Sequence, residues 1–379
     1  DAALYQLAWL LDEQGQAGEA DRLFERISEQ YPGGTYWADT TYRLAERASR
    51  AGQYDRAKQF AERLTEAECD PDILMHALYL RGQVAAFTQR WPEVATSLTA
   101  LLEQFPESPL RATAECWIAE AFYQQKDYAA AGQWFAKLEQ AQLVEEDTWT
   151  AMIPLRRAQI LAEQQKWAEA YELAGGIEER FPDFGKQYEA DYVLGLCLSK
   201  QGKPTEALPH YERVIRSPEG GRTETAAKAQ WMIGEAYAAL CEWEQALKAY
   251  YRVESLYSYP QWQAAALVQA GKCHERQGDE QSAALVWRQV VSRFAKTPYA
   301  AEAAQRLERL NAKSAAPAPK VGGKKPAAKG AAAVVEEVDL EDVEADFEPG
   351  VEAEAVGTTE DLEKAAKAKP LRMKVSRAK

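Results

Sequence analysis

Small and large apolar positions recur along most of the chain with a period much longer than one helical turn. An Ala or Gly returns at steps of 37 or 39 residues, and a second small residue follows each of them twelve positions later. The first positions are Ala8, Ala45, Gly82, Ala119, Ala158, Gly195, Gly234 and Gly271, and the second are Ala20, Ala57, Val94, Ala131, Ala170, Ala207, Ala246 and Ala283. A fixed period of this length indicates a repeat architecture, in which each repeat is one supersecondary unit.

Each second small residue begins an apolar face with helical spacing. A bulkier apolar residue stands four positions later in most units, with Ala61 and Ala174 as exceptions, and an aliphatic residue follows three positions after that. The bulky residues are Phe24, Leu98, Phe135, Tyr211, Tyr250 and Trp287. Positions i, i+4 and i+7 share one helix face, and two helices approach closely where small side chains meet. The pattern therefore predicts a helix-turn-helix in each unit.

Turn signals separate the predicted helices. Glycines that can close a helix in the left-handed conformation stand inside four units, at Gly15, Gly52, Gly202 and Gly278. Prolines that stop a helix stand between units, at Pro32, Pro106 and Pro182. Helix and turn signals thus agree on one register.

This pattern resembles the tetratricopeptide repeat, whose consensus places small residues at two fixed positions, an aromatic residue after the second and a proline between units. The units here are longer than the usual repeat of about 34 residues, and the surplus falls in the loops. The resemblance implies an all-α, right-handed superhelical solenoid of about eight units over residues 1–297. We expect a capping helix at residues 298–311, because a repeat array needs a terminal helix with a polar outer face.

The sequences of the joints between repeats resemble those of particular repeat families. Residues 105–112 and 294–303 are similar to the joints of bacterial envelope repeats in the Tol-Pal coordinator family and the outer-membrane assembly lipoproteins. That likeness implies a periplasmic or envelope scaffold or assembly factor. The alternative is a regulatory repeat module of a larger cytoplasmic multidomain protein.

Residues 312–379 change to Ala, Pro, Gly, Lys and Glu with almost no aromatic residues, which predicts a disordered charged tail. Thirteen acids without a base lie between Glu336 and Glu363, and seven bases follow. A solvating linker is the favoured interpretation, and the alternative is a docking segment formed by Val338, Leu340, Val343 and Phe347. A lesser alternative is weak contact of the final basic stretch with an anionic surface.

Composition excludes some classes of function. With 45 Lys and Arg against 59 Asp and Glu, the folded body is not expected to bind nucleic acid. No apolar run approaches the roughly 20 residues of a membrane helix, so no transmembrane span is predicted. The sequence enters a helical pattern directly at Asp1, and we interpret this as a cut inside a longer protein, with any targeting signal upstream.

Candidate chemistry is sparse. His76, His210 and His274 fall in separate units, and neither phosphate-loop, dinucleotide nor zinc-protease motifs occur. The five cysteines lack metal-binding spacing and are expected to be small buried side chains. We therefore expect no enzyme activity, cofactor or metal.

A binding surface for proteins or extended peptides remains. The resemblance implies that first helices line the concave side, and an aromatic stripe edged with polar groups there suits an extended, apolar, partly basic ligand. The predicted contact residues are Tyr5, Tyr42, Glu46, Tyr79, Gln83, Glu120, Tyr192, Trp231 and Glu235. The favoured alternative is that these side chains pack against the next helix. A carboxylate clamp of the co-chaperone type is not expected, because Tyr5 and Trp9 occupy positions of its Lys and Asn.

Overall fold

The protein is described by a computed structural model that covers residues 1–141 and 148–315. Within these ranges all regular structure is helical, which confirms the all-α repeat prediction. The residues form two compact units, unit 1 ending at Gln201 and unit 2 beginning at Gly202. The predicted docking residues of the tail, Val338, Leu340, Val343 and Phe347, lie outside the described ranges.

Unit 1 is a series of paired helices. Each helix packs against the next, and the first helices of neighbouring pairs also touch, as α3 does with α5 and α9 with α12. The helices are α1 (Ala2–Glu13), α2 (Ala17–Gln30), α3 (Trp37–Arg50), α4 (Tyr54–Thr65), α5 (Pro71–Phe87), α6 (Trp91–Gln104), α7 (Arg111–Gln124), α8 (Tyr128–Gln140), α9 (Met152–Glu163), α10 (Trp167–Gly175), α11 (Ile177–Arg180) and α12 (Gln187–Lys200). A 3-10 turn, Thr148–Ala151, precedes α9.

Unit 2 continues the same pattern. Its helices are α13 (Pro204–Arg216), α14 (Glu224–Ala239), α15 (Trp243–Leu256), α16 (Pro260–Arg276), α17 (Glu280–Arg293) and α18 (Tyr299–Ala315). Helix α18 packs on both α16 and α17, and buries Ala303 and Leu310. None of the helices in the described ranges combines the length and apolar character that crossing a bilayer requires.

The small positions are wedged between helices as the pattern predicts. All eight second positions, from Ala20 to Ala283, are 0 % exposed. At the first positions, a methyl group added to Gly82 would lie 2.6 Å from Leu98, and the same addition to Gly234 would overlap the Tyr250 ring. Small and large residues sixteen positions apart are therefore in direct contact.

Four of the joints between repeats share one backbone geometry. In each of them the amide three residues after an aromatic residue donates to the carbonyl of that residue, and a second amide three residues later repeats the step. These joints start at Tyr31, Phe105, Phe181 and Phe294. The similar sequences of the joints thus correspond to a shared double turn that carries the chain from one helix pair to the next.

One repeat within unit 1 departs from the uniform pattern of helix pairs. Its second helix is divided into α10 and α11 at Gly175 and Gly176. Two consecutive glycines weaken a helix, because each costs about 1 kcal/mol relative to Ala. Ile177 nevertheless stays fully buried, so the interrupted helix keeps the apolar register of the repeat.

Candidate binding groove

Most of the predicted contact residues on the first helices are packed inside unit 1. Tyr5 is 4 % exposed, its hydroxyl donates to Asp39 at 2.6 Å, and its ring stacks on Tyr36 at a centroid distance of 4.4 Å. Burial, together with the hydrogen bond to Asp39, raises the pKa of Tyr5 to about 12. Tyr79 and Tyr192 are buried as well. These three side chains are therefore part of the buried interior of unit 1.

Other predicted residues in unit 1 keep part of their surface. Tyr42 is half-buried, with its ring edge-on to His76 at 6.1 Å. Glu46 is also half-buried, and forms an ion pair with Arg50 at 2.7 Å. Gln83, by contrast, is buried. A role of these side chains in binding a partner stays a prediction.

Glu120 belongs to a buried ion pair. Its two carboxylate oxygens accept from Nε and Nη2 of Arg156 at 2.9 and 3.0 Å, which joins α7 to α9. Glu120 is 2 % exposed and Arg156 is 1 % exposed. Although burial alone would lower it, the Glu120 carboxylate raises the pKa of Arg156. Glu120, which was predicted to line the groove, therefore joins two neighbouring repeats of unit 1 through a buried ion pair.

Further polar groups complete this network. Gln159 accepts from Arg156 at 2.7 Å and donates to Glu189 of α12 at 3.1 Å. The Arg156 guanidinium also lies over the Tyr123 ring, 4.5 Å from its centroid. Every member of the network is thus tied to a partner, and three consecutive helix pairs are joined.

In unit 2 the predicted contact residues also serve packing. Trp231 is 8 % exposed, and its ring meets that of Trp262 at 5.9 Å. Glu235 is half-buried and accepts from the hydroxyl of Tyr250 at 2.6 Å. Burial, followed by the nearby Glu235 charge, raises the pKa of Tyr250 well above its ordinary value.

A large groove lies elsewhere in unit 2, with a volume of about 1560 Å³. Helix α14 packs against both α13 and α15, and contributes Gln230, Ile233 and Tyr237 to the lining. These three residues share one face of α14, since they are spaced at i, i+3 and i+7. Residues of α13 and α15 line the groove on either side, and the loops at residues 221–222 and 257–259 contribute the rest of its lining.

Two large apolar side chains of the groove are exposed. Leu256 is 67 % exposed and Tyr251 is 37 % exposed, whereas Tyr257 beside them is buried. Burial raises the pKa of Tyr257. Leu256 and Tyr251 lie off the apolar face of their own repeat, which runs through Ala246, Tyr250 and Val253. Their position outside that register is the sequence signal that could have revealed the groove.

The lining of the groove is basic, although the chain as a whole is acidic. Its carboxylates are already paired, Glu212 with Arg216 at 2.7 Å and Glu254 with Arg293 of α17 at 2.6 Å. Three further lining bases form no ion pair within the described part of the chain; they are Arg222, Lys248 and Arg252. All three are exposed. Carboxylates of a bound segment could therefore pair with them without displacing an existing partner.

The backbone around the groove is held in place. The Gln230 side chain, 2 % exposed, donates to the carbonyl of Ala249 at 3.3 Å and fixes α14 to α15. Gly221 donates its amide to Ser217 at 2.8 Å, and a methyl group added there would lie 2.7 Å from the Ser217 carbonyl oxygen. The Tyr259 hydroxyl donates to the Arg222 carbonyl at 3.4 Å. The groove is thus preformed.

No group of three or more His, Cys, Asp or Glu side chains that could hold a metal ion occurs in residues 1–141 and 148–315.

Comparison with protein families agrees with the helix pairs. A model of the tetratricopeptide repeat-like domain matches residues 74–233, and a model of the tetratricopeptide repeat matches residues 2–34 and 265–297. The chain contains tetratricopeptide repeats. Tetratricopeptide repeats stack into surfaces that bind other proteins, so protein interaction is their general role. A search of curated protein sequences finds no match.

Solved structures are similar in fold. The apo form of RapI has a TM-score of 0.54 at 13% identity, covering 70% of this chain and 79% of RapI. A tetratricopeptide repeat protein from Parabacteroides merdae has a TM-score of 0.47 at 17% identity, covering 68% and 93% of the two chains. The pilF protein of Pseudomonas aeruginosa has a TM-score of 0.47 at 16% identity, covering 64% of this chain and 98% of pilF. At 13% identity the likeness to RapI concerns the fold alone.

Proposed function

We propose that the chain is a protein–protein interaction scaffold that binds acidic, apolar segments of partner proteins in the groove of unit 2. The observation that carries the proposal is the pairing of two exposed apolar side chains, Tyr251 and Leu256, with three bases that lack a carboxylate partner among the described residues. Exposed apolar surface rimmed by polar residues is typical of interaction sites.

The chemistry of the groove defines the partner. Apolar side chains of the bound segment would cover Leu256 and Tyr251, and such buried contacts supply most of the affinity of an interface. Carboxylates would face Lys248 and Arg252. Exposed ion pairs contribute at most about 1 kcal/mol each, so the bases mainly select an acidic segment and speed its association.

Peptide selection tests this proposal. The chain is presented with a displayed library of random peptides, and we expect enrichment of sequences that combine Asp or Glu with Leu, Val or Phe. The double variant Lys248→Gln/Arg252→Gln should lose the acidic preference. The matched control is Arg288→Gln/Lys296→Gln, which removes two exposed bases of unit 2 that do not line the groove. Enrichment that is the same for both variants would contradict the proposal.

The half-buried residues of the first helices remain a second predicted contact surface. Its members are Tyr42 and Glu46 in unit 1 and Glu235 in unit 2. Crosslinks from a bound partner that map to these residues, and not to the residues that line the groove in unit 2, would favour this surface over that groove.

We further propose that the scaffold works in the bacterial cell envelope as an assembly or coordination factor. Support comes from the resemblance of residues 105–112 and 294–303 to the joints of envelope repeats. Fractionation of cells that express the protein from its own gene should recover it with periplasmic or membrane material. Recovery in the cytoplasm alone would instead favour the regulatory module of a multidomain protein.

A further inference from the structure

The acidic block of the chain has the chemistry that the groove of unit 2 selects. Thirteen acids lie between Glu336 and Glu363 without a base. Within this block, acids alternate with four apolar residues, Val338, Leu340, Val343 and Phe347. The groove offers the complement, because three bases without a carboxylate partner among the described residues stand beside exposed Tyr251 and Leu256.

The length of chain between the two is sufficient for contact. The last described helix, α18, ends at Ala315 in unit 2, and residues 316–335 separate it from Glu336. Twenty residues reach at most about 70 Å. Helix α15 packs on α16, and α16 packs on α18, so at 8–10 Å for each contact the axis of α15, which lines one side of the groove, lies within about 20 Å of the axis of α18.

From charge complementarity and reach, we propose that residues 336–348 of the same chain occupy the groove of unit 2 and compete there with partner proteins. The inference rests on the proposed function of that groove. A segment tethered to its own binding site has an effective concentration of about millimolar. With a dissociation constant of about 10–100 μM for the block itself, the ratio of effective concentration to that constant weakens binding of any untethered segment by about 10-fold to 100-fold.

The test measures binding of a fluorescent peptide of residues 334–350 to the full chain by anisotropy. In one variant, Leu340→Ser/Val343→Ser/Phe347→Ser disables the block and leaves its charge intact. We expect the peptide to bind this variant at least tenfold more tightly than the unaltered chain. Adding Lys248→Gln/Arg252→Gln to the variant should abolish the gain, whereas adding Arg288→Gln/Lys296→Gln should preserve it.

Amide hydrogen exchange gives a second readout on the same proteins. Residues 212–222 and 245–259, which line the groove, should exchange more slowly in the unaltered chain than in the disabled variant. Equal peptide affinity and equal exchange in the two proteins would overturn the proposal. Equally tight binding of a scrambled peptide would overturn it too, because charge alone would then account for the contact.

The remaining outcomes separate this inference from the proposed function. Library-selected peptides that bind the groove while the 334–350 peptide does not would overturn the inference and leave the proposed function intact. Failure of both kinds of peptide would overturn both. Protection of the groove that grows with protein concentration would assign the block to the groove of a second copy, and would overturn occupancy within one chain.

Discussion

At the residue scale, the Glu120–Arg156 pair is a buried ion pair formed by a residue that was predicted to contact a ligand. Glu120 was expected to face a partner because it stands at a groove position of its repeat. Its actual partner, Arg156, lies 36 residues later in the next helix pair. Taking two charges out of water is costly unless they are matched and fully hydrogen-bonded, as they are here through Gln159. The pair is therefore sensitive to loss of either member.

Glu120→Gln should strongly destabilise the fold. The change leaves the Arg156 charge buried without its bidentate partner, and the carboxylate of Glu189 is farther away, at 3.8 Å. We expect the free energy of unfolding to fall by about 3 kcal/mol, at the lower end of the range for breaking a buried pair. Urea unfolding followed by far-ultraviolet circular dichroism measures the change.

Two further variants test whether the unpaired charge of Arg156 causes the loss of stability in Glu120→Gln. Glu46→Gln removes a half-buried carboxylate whose partner Arg50 is exposed to solvent, so it should cost at most about 1 kcal/mol. Replacing both Glu120 and Arg156 by Met removes both buried charges and should recover most of the loss. A double replacement as damaging as Glu120→Gln would show that packing volume, not the unpaired charge, causes the effect.

At the scale of elements, every helix pair turns through one left-handed residue. It lies seven positions after the first small residue of its unit, and is a glycine in four units. The remaining four positions are Gln89, Lys126, Gln165 and Cys241, with φ between 56° and 62°. Side chains other than glycine rarely adopt this conformation, which costs about 1–2 kcal/mol. The stacking of the helices therefore imposes the turn even where the local sequence does not favour it.

Lys126→Gly should stabilise the protein. Lys126 is exposed, so glycine relieves the left-handed backbone without removing a packed side chain. Glycine also raises the entropy of the unfolded chain by about 0.4–1 kcal/mol, so the net gain in the free energy of unfolding is about 0.5–1 kcal/mol. The reverse change, Gly52→Ala at the equivalent turn, should destabilise by a similar amount. Urea midpoints of both variants against the unaltered chain provide the measurement, and stabilisation by Gly52→Ala would contradict the argument.

The sequence predicted the helix pairs because their contacts depend on side-chain size at fixed spacing. Ala20 and Phe24 carry this signal in the first repeat, equivalent residues carry it in most of the others, and the structure confirms the burial of both. The left-handed turn at Gln89 carried no such signal, because Gln has no preference for that conformation. The groove was not predicted, because the repeat pattern identifies buried positions, whereas Leu256 and Tyr251 lie outside those positions.

At the scale of the whole molecule, the repeat buries many ionisable aromatic side chains. The chain has 18 tyrosines, and the rings of Tyr5, Tyr79 and Tyr250 are buried in helix packing. Burial disfavours the charged phenolate, so these groups hold their protons to higher pH when the chain is folded. Stability at alkaline pH is consequently a property of the array as a whole.

Tyr79 offers a test of this dependence on pH. Burial raises its pKa to about 12, while an unfolded tyrosine ionises near pH 10. The stabilising contribution is fully present below pH 10. Between about pH 10 and pH 12 the unfolded state binds fewer protons than the folded state, so the free energy of unfolding falls as pH rises.

For Tyr79 alone the slope is about 1.4 kcal/mol per pH unit. Tyr79→Phe should reduce the alkaline slope of the unfolding free energy by that amount, as measured by urea titrations at a series of pH values. Phe24→Leu, which opens a cavity in the same unit and changes no titratable group, should lower stability equally at every pH. If Tyr79→Phe instead shifted the whole curve downward with its slope unchanged, the phenol would ionise alike in both states, and alkaline sensitivity would have to originate in other groups of the array.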